Sequence, residues 1–168
     1  MTVPPRRDAI LRLAASAAAA VALGSVRTRA FAAVADASER LLPTTADLGA
    51  SLAQALARGE PLIVLATLRG CAFCKLAREN YLVPEMRAGR AVTQIHFLSR
   101  DPVIGLGGQA TTHGALVRQL GIEVAPTVLF LGRDSREVAP RLAGGSSSDF
   151  YAAYLDDRVA QARTAVRG

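Results

Sequence analysis

The chain has 168 residues, two cysteines, two histidines, no tryptophan and a formal net charge of +6. Most of that charge is local: the first 32 residues carry five Arg and one Asp, so the other 136 carry 15 basic and 13 acidic residues and a net charge of +2. With 5% aromatic residues and no basic block beyond that segment, the chain offers no stacking or phosphate-tracking surface, and no nucleic-acid partner is expected.

The N-terminus reads as an address. Arg6, Arg7 and Arg12 form a basic start with the single acid Asp8, and Leu13 to Val26 is an uncharged Ala-rich run. Ala30-Phe31-Ala32 then supplies an A-x-A pattern of small residues. This is the plan of a secretory signal peptide over residues 1–32, too short for a good transmembrane helix. An amphipathic helix does not fit, because Ala14 to Ala20 has no polar face beyond Ser16. The Arg6-Arg7 pair suggests the twin-Arg route, although the residues that follow fit it loosely. Sec export and retention as an uncleaved anchor stay open. Cleavage after Ala32 leaves 136 residues, enough for one domain with its own core.

Residues 33–44 read as a lead-in segment and 45–168 as the folded domain. Leu48, Leu52 and Leu56 predict a helix from Thr45, capped by Thr44 or Thr45 and stopped by Gly59. Leu62 to Leu68 predicts a strand. A short helix opens at Cys71 and is expected to break near Val83, because a residue before proline (Pro84) disfavours helix. Glu85-Met86 opens another turn. Val92 to Leu98 alternates as a strand, and Ser99 to Gly108 reads as loop. Thr111 to Leu120 predicts a helix stopped by Gly121, and Thr127 to Leu131 an apolar strand. Gly132 to Ser135 is a turn, and Arg136 to Leu142 pairs back as a hairpin strand. After Gly144-Gly145 a last helix is predicted over Asp149 to Val166, with Phe150, Tyr154 and Val159 on its apolar stripe and Ser147 or Ser148 as cap.

Chemistry concentrates at Leu62 to Lys75, LIVLATLRGCAFCK, where a strand delivers a C-x-x-C pair to the start of a helix. Unpaired N–H groups and the partial positive charge there favour thiolate over thiol. Cys71 at the tip is placed to attack, and Cys74, three residues on and further in, to resolve. A zinc half-site is the first alternative, but no further Cys exists and His96 and His113 lack ligand spacing. No metal and no cofactor are therefore expected. A purely structural disulfide is the second alternative; its short loop would constrain the unfolded chain weakly.

The order β–(CxxC)α–β–α–β–β–α, the stretch CAFCKLARENYLVPEM and the segment Val124-Ala125-Pro126-Thr127 together resemble the periplasmic thioredoxin-like family. Gly144-Gly145 matches a glycine often found there before the final helix. The resemblance spans roughly Thr45 to Val166. It implies an α/β thioredoxin fold, a central mixed sheet of about four strands flanked by helices, in an exported thiol-disulfide oxidoreductase of the periplasm. It also implies a cis bond before Pro126 that presents the Ala125 backbone to an extended substrate beside Cys71. Gly70, Ala72 and Phe73 complete the expected substrate surface. Implied partners are protein disulfides and a membrane electron-relay protein as reductant, and the protein is expected to be a monomer.

The chain departs from thioredoxin at informative places. Gly70 replaces the usual Trp, Ala72-Phe73 replaces Gly-Pro, and Leu65 stands where cytosolic thioredoxins keep a buried acid. Glu79 and Glu85 are candidate substitutes for that acid, with a solvated helix face as the simpler role for both. Gly105 to His113 reads as an inserted loop near the redox face. No His lies between the cysteines, as it often does in strongly oxidising relatives, so the reading leans to reductase. His96 is expected to be a core or edge histidine, and His113 to begin a helix, with a modulating role near Cys71 open to it. Two other classes remain: a binding module with a structural disulfide, and a peroxidase-like enzyme, for which the T-x-x-C spacing is missing.

Overall fold

The protein is described here as a computed structural model covering residues 37–145 and 148–168; the expected signal peptide lies outside the described residues. Ten residues, Leu48–Ala57, form helix α1, followed by strand β1, Leu62–Thr67. Helix α2, Ala72–Leu76, runs through a π-helical turn, Ala77–Leu82, into α3, Val83–Arg87. Strand β2, Ala91–His96, precedes a small hairpin of β3, Pro102–Ile104, and β4, Ala110–Thr112. Helix α4, His113–Gln119, strands β5, Thr127–Leu131, and β6, Glu137–Ala143, and helix α5, Ser148–Arg167, complete the chain.

The main sheet has the order β2-β1-β5-β6, with β1 parallel to β2 and the other pairs antiparallel. This is the thioredoxin fold, a mixed four-stranded sheet with flanking helices. Its central strand is covered on both faces, which explains an unbroken apolar run rather than alternation. Leu62, Val64 and Ala66 point into one core with Leu48, Leu52 and Leu116, while Ile63 and Leu65 point into the other with Leu82, Phe130 and Leu155. Each buried Leu, Ile, Val or Phe among them contributes on the order of 1.5–3 kcal/mol. Pro140 lies in β6, an edge strand with register shifts, where a missing N–H is tolerated.

The structure corrects several sequence expectations. Asp47, not Thr44 or Thr45, caps α1: its carboxylate accepts the Ala50 N–H at 2.8 Å, while the Thr45 hydroxyl bonds Ser51. The helix does not break near Val83. In the π turn the Val83 N–H reaches the Arg78 carbonyl five residues back, and the widened turn makes room for the Pro84 ring. Ser99 to Gly108 is not all loop; β3 lies within it, and the pair of three-residue strands is too short to show a period. Strand β2 ends at His96 rather than Leu98, and α4 starts at His113, capped by Thr112. On α5, Phe150 and Tyr154 face solvent, 63% and 51% exposed. The buried stripe is Tyr151, Leu155, Val159, Ala162 and Val166: Val159 lies on it as expected, while Tyr151 and Leu155, one position on, take the places expected of Phe150 and Tyr154. Of the expected caps, Ser148 opens the helix itself and Ser147 lies outside the described residues.

The lead-in is better defined than its sequence suggests. Thr44 forms a parallel bridge with Gln94 at the outer edge of β2, and the Gln94 N–H donates to the Pro43 carbonyl at 2.9 Å. The Gln94 side-chain amide donates to the Leu42 carbonyl and to the Thr44 hydroxyl, both at 3.1 Å. Arg78, only 2% exposed, donates to Gln94 Oε1 (3.1 Å), Ser38 Oγ (2.9 Å) and Thr67 Oγ1 (2.7 Å). One buried guanidinium thus ties the lead-in, β1 and β2 to the helix that carries the cysteines. Buried polar groups are stable only when paired in this way.

Candidate active site

Strand β1 ends at Thr67, and Leu68 to Gly70 turn the chain into α2. Gly70 has φ +74°, a left-handed conformation that glycine adopts without strain, and this suits it to the position before Cys71. Cys71 is the N-cap of α2. Its sulfur accepts the Cys74 N–H at 3.1 Å, and its own N–H donates to the Leu68 carbonyl at 3.2 Å. Cys71 and Cys74 are joined as a disulfide with Cα atoms 5.2 Å apart. Cys71 is half-buried and Cys74 fully buried, so an incoming group meets Cys71 first.

The expected substrate residues gather around that sulfur. The peptide bond between Ala125 and Pro126 is cis, and the Ala125 carbonyl oxygen lies 4.0 Å from Cys71 Sγ. The turn is held from both sides: the Thr127 hydroxyl donates to the Val124 carbonyl at 2.7 Å, and Gly144 N–H donates to the Pro126 carbonyl at 2.7 Å. Among the described residues, no loop or turn backbone hydrogen bond engages the Ala125 N–H or C=O; the group facing that carbonyl is the Cys71 sulfur. Ala72 is exposed, and Phe73 is 60% exposed with one side on Gly145. A Cβ on Gly145 would come within 2.7 Å of the Phe73 ring, so that glycine makes room for the aromatic.

The other candidates fall elsewhere. Leu65 is fully buried among apolar side chains, so no acid takes that place. Glu79 faces Lys75 at 3.9 Å on a partly exposed helix surface. Glu85 pairs with Arg90 at 3.5 Å, eleven residues beyond Cys74, on the order of 16 Å along a helix. Burial raises its pKa, with Arg90 opposing. The turn of the β3–β4 hairpin rests on α1: a Cβ on Gly49 would sit 3.4 Å from the Leu106 carbonyl. Val103 joins the core on that face, opposite the face that takes Leu82 and Val83. His96 bonds Thr44 Oγ1 at 3.1 Å and meets the ring of buried His113 edge-on, centroids 5.8 Å apart. Burial lowers both imidazole pKa values; the neighbouring His113 lowers that of His96 further, and Asp101 partly opposes the shift of His113. Among the described residues no cluster of three or more His, Cys, Asp or Glu is placed to hold a metal ion. Sequence reasoning missed Arg78; an arginine within a polar helical stretch gives no sign of burial.

A cysteine pair at a helix start, one sulfur outward and one inward, is the working part of a thiol-disulfide oxidoreductase. Similar folds occur in mitochondrial thioredoxin 3 from Saccharomyces cerevisiae, with 12% identity, 73% of this chain and 97% of that chain covered, and a TM-score of 0.47. A thioredoxin from Thermus thermophilus shows 20% identity, coverage of 71% and 85%, and a TM-score of 0.47. A chain from a complex of ferredoxin:thioredoxin reductase with thioredoxin f2 shows 19% identity, coverage of 70% and 96%, and a TM-score of 0.47. Curated protein sequences show no match. The family model for the thioredoxin-like domain matches residues 48–158, which include both cysteines and Pro126, and the chain belongs to that family.

Proposed function

We propose that the protein is an exported protein-disulfide reductase that works in the periplasm. The single observation that supports this reading best is the position of Cys71. Its sulfur caps the helix, is the accessible member of the pair and lies 4.0 Å from the Ala125 carbonyl oxygen. In the reduced protein the Cys71 thiolate attacks a substrate disulfide and releases one substrate thiolate. Cys74 then attacks Cys71, frees the second thiolate and leaves the Cys71–Cys74 disulfide. An extended substrate pairs with the Ala125 N–H and C=O as an added strand while its sulfur meets Cys71. A membrane relay that carries reducing equivalents outwards resets the dithiol, since small reductants are scarce in an oxidising compartment.

The reading is tested by the reduction of insulin and by the reduction potential of the pair. A potential above about −300 mV fits an exchanging pair, and one below it fits a structural disulfide in a binding module. For export, the mature N-terminus is expected near Ala33 on intact-mass measurement of the periplasmic fraction. Full-length chain recovered only from the cytoplasm would remove that part of the proposal.

A further inference from the structure

We propose that the cleft beside the cysteine loop is a subsite for carboxylate groups flanking the substrate disulfide. This rests on the oxidoreductase reading above and adds the chemistry of the substrate. The cleft measures about 680 Å³, within the range of small-ligand sites. One wall is Leu68-Arg69, and the Leu68 carbonyl takes the Cys71 N–H, so a group bound there lies against the nucleophile's own loop. The far wall is Leu98 to Asp101.

That far wall is held in an unusual way. Leu98 has φ +55° and is 81% exposed, a strained conformation for a leucine pointing into solvent. It is pinned on both sides: Phe97 N–H donates to the Thr67 carbonyl at 2.8 Å, and Gly114 N–H to the Ser99 carbonyl at 2.9 Å. A Cβ on Gly114 would sit 3.0 Å from that Ser99 oxygen, so the close approach needs glycine. Strain kept in place by its surroundings at the lip of a cleft points to use.

The charges decide the ligand. Glu39 faces Arg69 at a loose 4.0 Å, and Asp101 accepts the Ser99 hydroxyl at 2.8 Å. Among the described residues no carboxylate pairs with Arg40 or Arg100, both exposed on this cleft. Burial lowers the His96 pKa and so disfavours its charged form, and the ring bonds Thr44. The cleft's three arginines, Arg40, Arg69 and Arg100, outnumber its two carboxylates, Glu39 and Asp101, so its net charge is cationic, and Leu68 and Leu98 add apolar lining. A disulfide carried on short methylene arms that end in carboxylates complements both features, and one ending in ammonium groups is repelled. Exposed arginines hold a free anion weakly. A carboxylate tethered to the attacked sulfur arrives at high effective concentration.

The step balances. Cys71 thiolate attacks one sulfur of R–S–S–R, the Cys71–S–S–R bond forms and R–S⁻ leaves. Deprotonated Cys74 then forms the protein disulfide and releases the second R–S⁻; water supplies the protons those thiolates take up. The protein loses two electrons and the substrate gains them.

The test is the rate at which reduced protein, freed of dithiothreitol, consumes dithiodipropionate (two carboxylates), hydroxyethyl disulfide (neutral) and cystamine (two ammonium groups). Each rate is divided by that of dithiothreitol with the same disulfide, which removes intrinsic reactivity. At low salt the expected order is dianion, neutral, dication. In the Arg40→Gln/Arg100→Gln variant the dianion-to-neutral ratio is expected to fall about threefold to tenfold, the worth of two exposed charge contacts. In 1 M salt the preference is expected to shrink, as the Debye length drops to about 3 Å. Equal normalised rates, or an unchanged ratio in the variant, would overturn the subsite. If no disulfide is consumed, the oxidoreductase reading fails instead, and the subsite is judged by binding. Amide NMR shifts confined to 68–69 and 97–101 when the Cys71→Ser/Cys74→Ser variant is titrated with dithiodipropionate would uphold it, and their absence would overturn it.

Discussion

Two regions flank the end of β1 and treat polar groups in opposite ways. Around Arg78 and Gln94, the side chains and the lead-in carbonyls are bonded to one another and closed from water. Around Cys71, no loop or turn backbone bond engages the Ala125 N–H or C=O among the described residues, Phe73 stands out in solvent, and the Cys71 sulfur is accessible. A buried unpaired polar group costs about 1–3 kcal/mol, but at the surface water pays that cost until a partner replaces it. The sealed corner holds the frame, and the open corner keeps bonding capacity for a substrate. Both hang from the same short helical run, since Cys74 and Arg78 are one turn apart.

Substitutions can separate the two corners. The largest expected effect on chemistry is that of Cys71→Ser, which removes the attacking sulfur and should abolish insulin reduction while the protein stays folded. Cys74→Ser should instead accumulate a mixed disulfide between Cys71 and substrate, visible on non-reducing gels. The largest expected effect on stability comes from the sealed corner. Arg78→Met removes the donor to Gln94 Oε1, Thr67 Oγ1 and Ser38 Oγ and should cost roughly 3–5 kcal/mol, read as a lower urea midpoint. A change below about 1 kcal/mol would mean that the network is dispensable, and the contrast between the corners would lose its basis.

At the open corner, the Pro126 ring restricts the turn that carries Ala125. Pro126→Ala should slow insulin reduction roughly fivefold to thirtyfold more than reduction of dithiobis-nitrobenzoate, because only a peptide uses the Ala125 hydrogen bonds, each worth about 1 kcal/mol. An equal slowing of both would remove strand pairing from the account.

The smallest expected effect is on pH dependence. Burial holds His96 and His113 below the ordinary value of 6.5, so the unfolded chain binds protons there that the folded chain does not. The stability contribution is complete above the unfolded value and is lost as pH falls below it. The thermal midpoint should therefore drop between pH 8 and pH 5, and His113→Phe should make that drop shallower. A steeper drop in the variant would contradict the assignment.

The two corners also differed in how far they could be read from sequence. The open corner was legible because its chemistry is written in rare residues at fixed spacing: Cys71, Cys74 and, some fifty residues on, Ala125-Pro126-Thr127. The element order followed from apolar runs bounded by glycine and proline. The sealed corner was not legible, because Arg78 and Gln94 are polar residues whose burial depends on partners far along the chain, at Ser38, Leu42 and Thr67. Local rules failed where tertiary context overrode them. The π turn carried the helix through Pro84, strands of three residues formed a hairpin inside an apparent loop, and Tyr151 rather than Phe150 turned inward on α5.

The central claim is that the open corner presents Cys71 and withholds Cys74. Its most direct test is alkylation of the fully reduced protein with iodoacetamide across pH, with the labelled position read by peptide mass. The account predicts rapid labelling of Cys71 alone at neutral pH, with an apparent pKa below the free-thiol value of about 8.5. Equal labelling of both cysteines, or preference for Cys74, would contradict it.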